Sequence, residues 1–239
     1  DQAHIDNLEV RPLSAPAAPQ NVTATYDADD QITLSWDQTD WGTEQGSFDI
    51  EIDRDGNGFV APTGGSSSVT ADGSGSYSET YGPNSDNSYA SQVGIDSVFQ
   101  FRVRAVNGIG ASSWTTSGTV YTTPVPPHNP SVSRPDANTF TISWSEKTDI
   151  IDYTRIQYRE DTGNGYGSWT WVDNEFSGDT SFTWEVGGNS QSGETPVEDA
   201  RYQFRLKHRR RGNSSGYLDS DWVYADYGNE GNVYFTADF

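Results

Sequence analysis

The feature that most restricts how this chain can fold is a two-residue alternation that occurs twice in the same order. The first half reads ITLSW (Ile32–Trp36), then FDIEID (Phe48–Asp53), then FQFRVRAV (Phe99–Val106). The second half reads FTISW (Phe140–Trp144), then YTRIQYRED (Tyr153–Asp161), then YQFRLKHRRR (Tyr202–Arg211). Successive side chains of an extended strand point to opposite faces, so an apolar residue at every second place marks a half-buried strand. No stretch keeps a helical period over about 11 residues. Trp36 to Phe101 spans 65 residues and Trp144 to Phe204 spans 60, so the copies are nearly equal in length. About 100 residues and about seven short strands per copy predict a two-sheet sandwich, twice. TTPVPPHNP (Thr122–Pro130) lies between the copies, stiff and poor in backbone donors. PLSAPAAP (Pro12–Pro19) leads into the first. The expected organisation is an extended segment at 1–13, domains at 14–123 and 131–227, a proline-rich linker at 124–130, and a C-terminal extension or strand at 228–239.

Hydrophobic residues are only 32% of the chain, but aromatic ones reach 13%, so aromatic rings must supply much of both cores. With no cysteine there is neither a disulfide framework nor a zinc–thiolate site. No apolar run approaches about 18 residues, so no membrane insertion is expected. The charge is lopsided: 35 Asp and Glu face 14 Lys and Arg, giving a formal net charge of −21. Lys147 and Lys207 are the only lysines. This excess of acid with little lysine resembles the composition of proteins from salt-loving organisms. There, hydrated carboxylates keep a protein soluble while salt screens charge over about 3 Å at 1 M.

A leading proline, a Trp on the second strand of each copy (Trp36, Trp144) and a later strand of pattern aromatic-x-Phe-x-Val/Leu together resemble fibronectin type III domains. The resemblance covers about residues 14–226. It implies an all-β fold of two tandem immunoglobulin-like sandwiches, with Trp36 and Trp144 in the cores. It also implies that Tyr202 forms a tyrosine corner, its hydroxyl bonded back to the backbone, where Phe99 of the first copy has no hydroxyl. The run APAAPQNVTATYDADDQITLSW further resembles modules of tail-tip and fibre proteins of tailed viruses. That implies a non-enzymatic extracellular or virion-surface component of a virus with a halophilic host, acting in assembly or host attachment. Its partners would be other subunits of the same assembly, or an anionic host glycan or glycoprotein. The alternative is a spacer or carbohydrate-binding module of a secreted halophilic enzyme or cell-surface protein.

In so acidic a chain the tract KHRRR (Lys207–Arg211) stands out. Alternation turns Asp49, Glu51 and Asp53 outward in the first copy beside Arg102 and Arg104, an ordinary cross-strand ladder. In the second copy Arg155, Gln157 and Arg159 face outward beside Arg205, Lys207 and Arg209. With Arg210 and Arg211 these cations form a candidate partner-binding stripe, which the acids Asp219 and Asp221 on the following strand could instead balance. Nucleic acid is not expected, because residues 127–239 carry 18 acidic against 10 basic side chains and no nucleic-acid motif.

Tyr166, Trp169 and Trp171 could stack on sugar rings or cover the core. DRDGNG offers Asp53, Asp55 and Asn57 in the order of a calcium loop, but the twelfth position is Gly64 and Asp-Gly and Asn-Gly favour hairpin turns. Calcium is the only cofactor the residues suggest. Asn21 and Asn213 fit the N-glycosylation pattern. His4, His128 and His208 are scattered and join no nucleophile–base motif, so no catalytic residue is assigned.

Overall fold

The computed structural model describes residues 12–27, 31–62, 68–82, 93–136, 139–145, 151–161, 163–176, 178–185, 200–212 and 216–225. The chain divides into two units, Asp1–Tyr121 and Thr122–Phe239. Among the described residues there are only strands and turns, with no helix.

Unit 1 contains β1 (Gln20–Tyr26), β2 (Ile32–Asp37), β3 (Ser47–Arg54), β4 (Ser68–Thr70), β5 (Ser76–Tyr81), β6 (Val98–Val106), β7 (Thr115–Thr116) and β8 (Val120–Tyr121). They form two antiparallel sheets ordered β1-β2-β5 and β4-β3-β6-β7, with β8 also paired to β6. Unit 2 contains β9 (His128–Asp136), β10 (Thr139–Ser145), β11 (Tyr153–Asp161), β12 (Thr170–Phe176), β13 (Ser181–Glu185), β14 (Arg201–Arg211), β15 (Tyr217–Asp219) and β16 (Val223–Tyr224). Its sheets run β13-β10-β9 and β12-β11-β14-β15, with β16 also on β14. The fold is all-β, and both units place three strands on one sheet and the long central hairpin-like pair on the other.

The alternation read from sequence is the burial pattern. Ile32, Leu34 and Trp36 on β2 are buried against Phe48, Ile50 and Ile52 on β3 and Phe99, Phe101 and Val103 on β6. The Trp36 ring stacks on Tyr77 at 6.0 Å and meets Phe48 edge-on at 5.1 Å. In unit 2 Trp144 is buried, but the aromatic hub is Trp184 on β13, surrounded by Phe140, Tyr158, Tyr202 and Phe204. Tyr202 is fully buried, and its hydroxyl lies 3.5 Å from Glu160 Oε2.

The proline-rich joint differs from the expected linker. Ser14 in unit 1 and Thr122 in unit 2 each stand 22 residues before their strand Trp. Both backbone carbonyls are taken by a side chain from the end of the long strand. Asn107 Nδ2 donates to Ser14 O at 3.1 Å, and Arg210 Nη1 donates to Thr122 O at 3.2 Å. His208 Nδ1 lies 2.9 Å from Val125 O, and Pro124 and Pro127 are buried as Pro16 and Pro19 are. Residues 124–127 are thus a strap on unit 2, and β9 already begins at His128. A segment with few donors still has carbonyls to satisfy, and side-chain donors of β14 satisfy them. The N-terminal segment as far as residue 11 and the C-terminal extension at 228–239 lie outside the described residues.

Candidate functional site

The two long strand pairs present their outer faces in the same register. In unit 1 Asp49 is opposite Arg104, Glu51 opposite Arg102 and Asp53 opposite Gln100. In unit 2 Arg155 is opposite Lys207, Gln157 opposite Arg205 and Arg159 opposite Gln203. With Phe101 and Phe204 at the same place in their units, Arg102 corresponds to Arg205 and Glu51 to Gln157.

In unit 1 each arginine meets a carboxylate and an aromatic ring. Arg102 Nε donates to Glu51 Oε2 at 2.7 Å, and Arg104 Nε donates to Asp49 Oδ2 at 2.8 Å. Both guanidiniums lie 4.6 Å from the Trp114 ring centroid, and Arg102 also lies over Phe59 at 4.4 Å. In unit 2 the rings remain and the acids are gone. Arg205 donates from Nε and Nη2 to Gln157 Oε1 at 2.9 and 2.6 Å, and Arg159 Nε donates to Gln203 Oε1 at 2.7 Å. Arg205 lies over Trp169 and Trp222 at 4.2 and 4.3 Å, and Arg159 over Tyr166 and Trp169 at 4.7 Å each. Arg155 covers Trp171 at 3.9 Å, Lys207 reaches Trp222 at 4.8 Å, and Arg209 covers Tyr217 at 4.7 Å. Each such contact is worth about 0.5–2 kcal/mol, the larger values where water is excluded.

The cations are not equivalent. Lys207 and Arg209 share the Asp219 carboxylate, each at 2.5 Å. Burial works to raise the Asp219 carboxyl, but hydrogen bonds from Arg209 and Lys207 outweigh it and hold the group below its usual range. Among the described residues, Arg159 and Arg205 have no carboxylate within ion-pair distance. A glutamine oxygen orients each guanidinium but brings no charge to cancel it. Burial lowers the Arg205 pKa, with Tyr224 opposing, and the nearby Arg159 lowers it further.

Two sequence expectations change here. Arg210 is 2% exposed and faces the interior, where it holds the strap, so it is not part of the stripe. Strand parity decides this, because every second residue of β14 points inward. Arg211 stays exposed at the strand end, its backbone N–H donating to Asp152 Oδ2. The sugar-stacking residues and the basic stripe, read from sequence as separate candidates, are one interleaved surface. Trp169, Trp171 and Tyr166 each carry at least one guanidinium over the ring. Trp222, which sequence reading did not single out, joins the two sets; its only signal was the alternation in LDSDWVY.

DRDGNG is a turn. Asp53 Oδ1 accepts Gly58 N–H at 3.0 Å, Asp55 Oδ1 accepts Val98 N–H at 2.8 Å, and Asn57 Nδ2 donates to Arg54 O at 2.9 Å. Asp55 and Gly56 have positive φ, as an Asp-Gly turn requires. Calcium titration is therefore expected to leave the melting temperature of unit 1 unchanged; a rise of several degrees would restore the metal reading. Asn21 is exposed, with φ of 52°, and its Nδ2 donates to Asp37 Oδ2 at 2.7 Å, so an attached glycan would compete with that bond. Asn213 lies outside the described residues. His128 is exposed on β9 and His208 is buried.

No family profile matches the chain, and no curated protein matches it. Among solved structures it is similar to a two-domain fibronectin type III segment of chicken tenascin, at 15% identity over 87% of this chain and 97% of that one, with a TM-score of 0.42. It is also similar to the FN1–FN3 domains of chicken CNTN1, at 17% identity over 90% of this chain and 68% of that one, with a TM-score of 0.35. These structural neighbours are tandem fibronectin type III segments. The strand orders within each unit, not these scores, carry the fold assignment.

Proposed function

We propose that this chain is a non-enzymatic, extracellular structural or adhesive module that docks a carboxylate-bearing partner on the outer face of β11 and β14. The observation that supports it is the exchange of Glu51 for Gln157. In unit 1 the Arg–Trp arrangement receives a carboxylate from the next strand. In unit 2 the same arrangement keeps Arg205 and Arg159 charged, stacked and oriented, with an uncharged amide in the carboxylate's place. Pre-oriented guanidiniums bind carboxylates through short, directional contacts that survive salt better than long-range attraction does.

In the finer reading the module belongs to the tail or fibre of a virus with a halophilic host, and acts in assembly or attachment. Its support is the resemblance of the APAAPQNVTATYDADDQITLSW run and the acid excess. Tail-protein genes flanking the coding sequence would support this assignment; a catalytic domain fused to it would refute it.

The docking face is tested by retention on surfaces coated with poly-glutamate, polygalacturonate or neutral dextran at about 1 M salt. Retention on the carboxylated polymers alone is expected. The double variant Arg159→Gln/Arg205→Gln should lose about tenfold or more of it. Equal retention of the two proteins, or none on any surface, would remove the docking face.

A further inference from the structure

We infer that the carboxylate-bearing partner is a second copy of this chain, whose unit 1 offers acidic loops to the Arg159–Arg205 face of unit 2. This rests on the reading that the face takes carboxylates, and it adds their source. The charge of the chain is divided between its units. Across residues 12–121 the only basic side chains are Arg54, Arg102 and Arg104. All three are already paired, with Asp55, Glu51 and Asp49. Unit 1 therefore has acid to give and no spare cation among its described residues, whereas unit 2 holds guanidiniums that lack a carboxylate.

Three acids of unit 1 lie on two neighbouring loops. The β2–β3 loop carries Asp40 and Glu44 and the β4–β5 loop carries Asp72, all three exposed. The loops are tied together, Gln38 N–H donating to Gly75 O at 2.9 Å and Ala71 N–H to Gly46 O at 3.2 Å. One oxygen of each carboxylate is used locally. Asp40 accepts Gly42 N–H at 3.0 Å, Glu44 accepts Gly108 N–H at 2.9 Å, and Asp72 accepts Ser74 N–H at 2.9 Å. These bonds fix the carboxylates at the exposed surface of the loops. Because donor face and acceptor loops lie on different units, one copy's unit 2 meets another copy's unit 1. Made reciprocally between two copies the contact closes on a two-fold axis, and made head to tail it continues into rings or filaments.

Two copies each of formal charge −21 repel at long range. Raising salt from about 0.1 M to about 1 M shortens the screening length from about 10 Å to about 3 Å, which removes that repulsion while direct contacts persist. Self-association is therefore expected to strengthen with salt, opposite to a simple surface ion pair.

The test is sedimentation of the full chain across concentration at both salts. It compares wild type, Gln157→Glu, and the triple variant Asp40→Asn/Glu44→Gln/Asp72→Asn. Glutamate at 157 supplies the internal carboxylate that Glu51 supplies in unit 1, so it should block docking while keeping the melting temperature of unit 2 at or above wild type. Concentration-dependent growth of the wild type, weakened about tenfold or more in either variant, is the expected result. A mixture of the two variants should stop at pairs, since only one complementary contact remains. A wild type that stays monomeric at both salts overturns the second-copy partner. If that monomer is still retained on poly-glutamate, the docking reading stands without it; if it is not, both fall.

Discussion

Replacing Trp184 with alanine is expected to remove about 3–5 kcal/mol from unit 2 and to leave the unfolding of unit 1 where it was. The ring is fully buried, with centroids 4.6 Å from Tyr158, 5.3 Å from Tyr202, 5.9 Å from Phe204 and 6.0 Å from Phe140. Two of those contacts are near-perpendicular edge-to-face pairs, which add to the energy of area burial. Truncation therefore removes a large apolar group, leaves a cavity and breaks several ring contacts together. Domains of this size have about 5–15 kcal/mol in all, so the variant would bring unit 2 close to its limit. Calorimetry of the full chain should show one transition shifted strongly downward and one unchanged. A loss below about 1 kcal/mol would mean the cavity collapses or that Trp184 is not the hub.

The second large effect is on pH. His208 is fully buried, and burial pushes its imidazole down to about 4, against the hydrogen bond to Val125 O that favours the charged form. With Nδ1–H donating to that carbonyl, Nε2 is left as a buried nitrogen without a partner, so protonation would place a charged N–H where nothing receives it. The unfolded chain takes up this proton near pH 6.5 and the folded chain only near pH 4. Stability from this group is thus complete above about pH 6.5 and falls as pH drops toward 4. The slope is about 1.4 kcal/mol per pH unit, for a total of about 3 kcal/mol. The window lies above the titration of Asp219, whose carboxyl is held below its usual range. His208→Gln can keep a donor for Val125 O and cannot protonate, so its unit 2 should lack the loss between pH 6.5 and 4. Parallel pH curves for wild type and variant would show that His208 does not set this window.

Much of the fold could be read directly from residue order. Alternation around ITLSW and FTISW, and along the two Phe-bearing strands, specified which side chains face inward, because a strand has a side-chain period of two and an aqueous protein must bury its rings. The outward placement of Arg155, Arg159, Arg205, Lys207 and Arg209 follows from the same parity. That parity also places Arg210 inside, against the appearance of one continuous basic tract.

Periodicity could not say which tryptophans would form core and which would lie on the surface. Trp171 and Trp184 sit in strands and Trp169 directly precedes one, yet Trp184 fills unit 2 while the other two lie under guanidiniums on its outer face. Only the packing of β12 and β16 beside β11 and β14 brought the aromatic and cationic candidates into one surface, since residues far apart in sequence meet through strand register. The proline-rich segment, read as a linker, became a strap for a similar reason: its carbonyls found donors on His208 and Arg210, more than eighty residues away. Strand identity and facing were local properties of the sequence. Who neutralises whom was not, because charge and hydrogen-bond partners are chosen across strands.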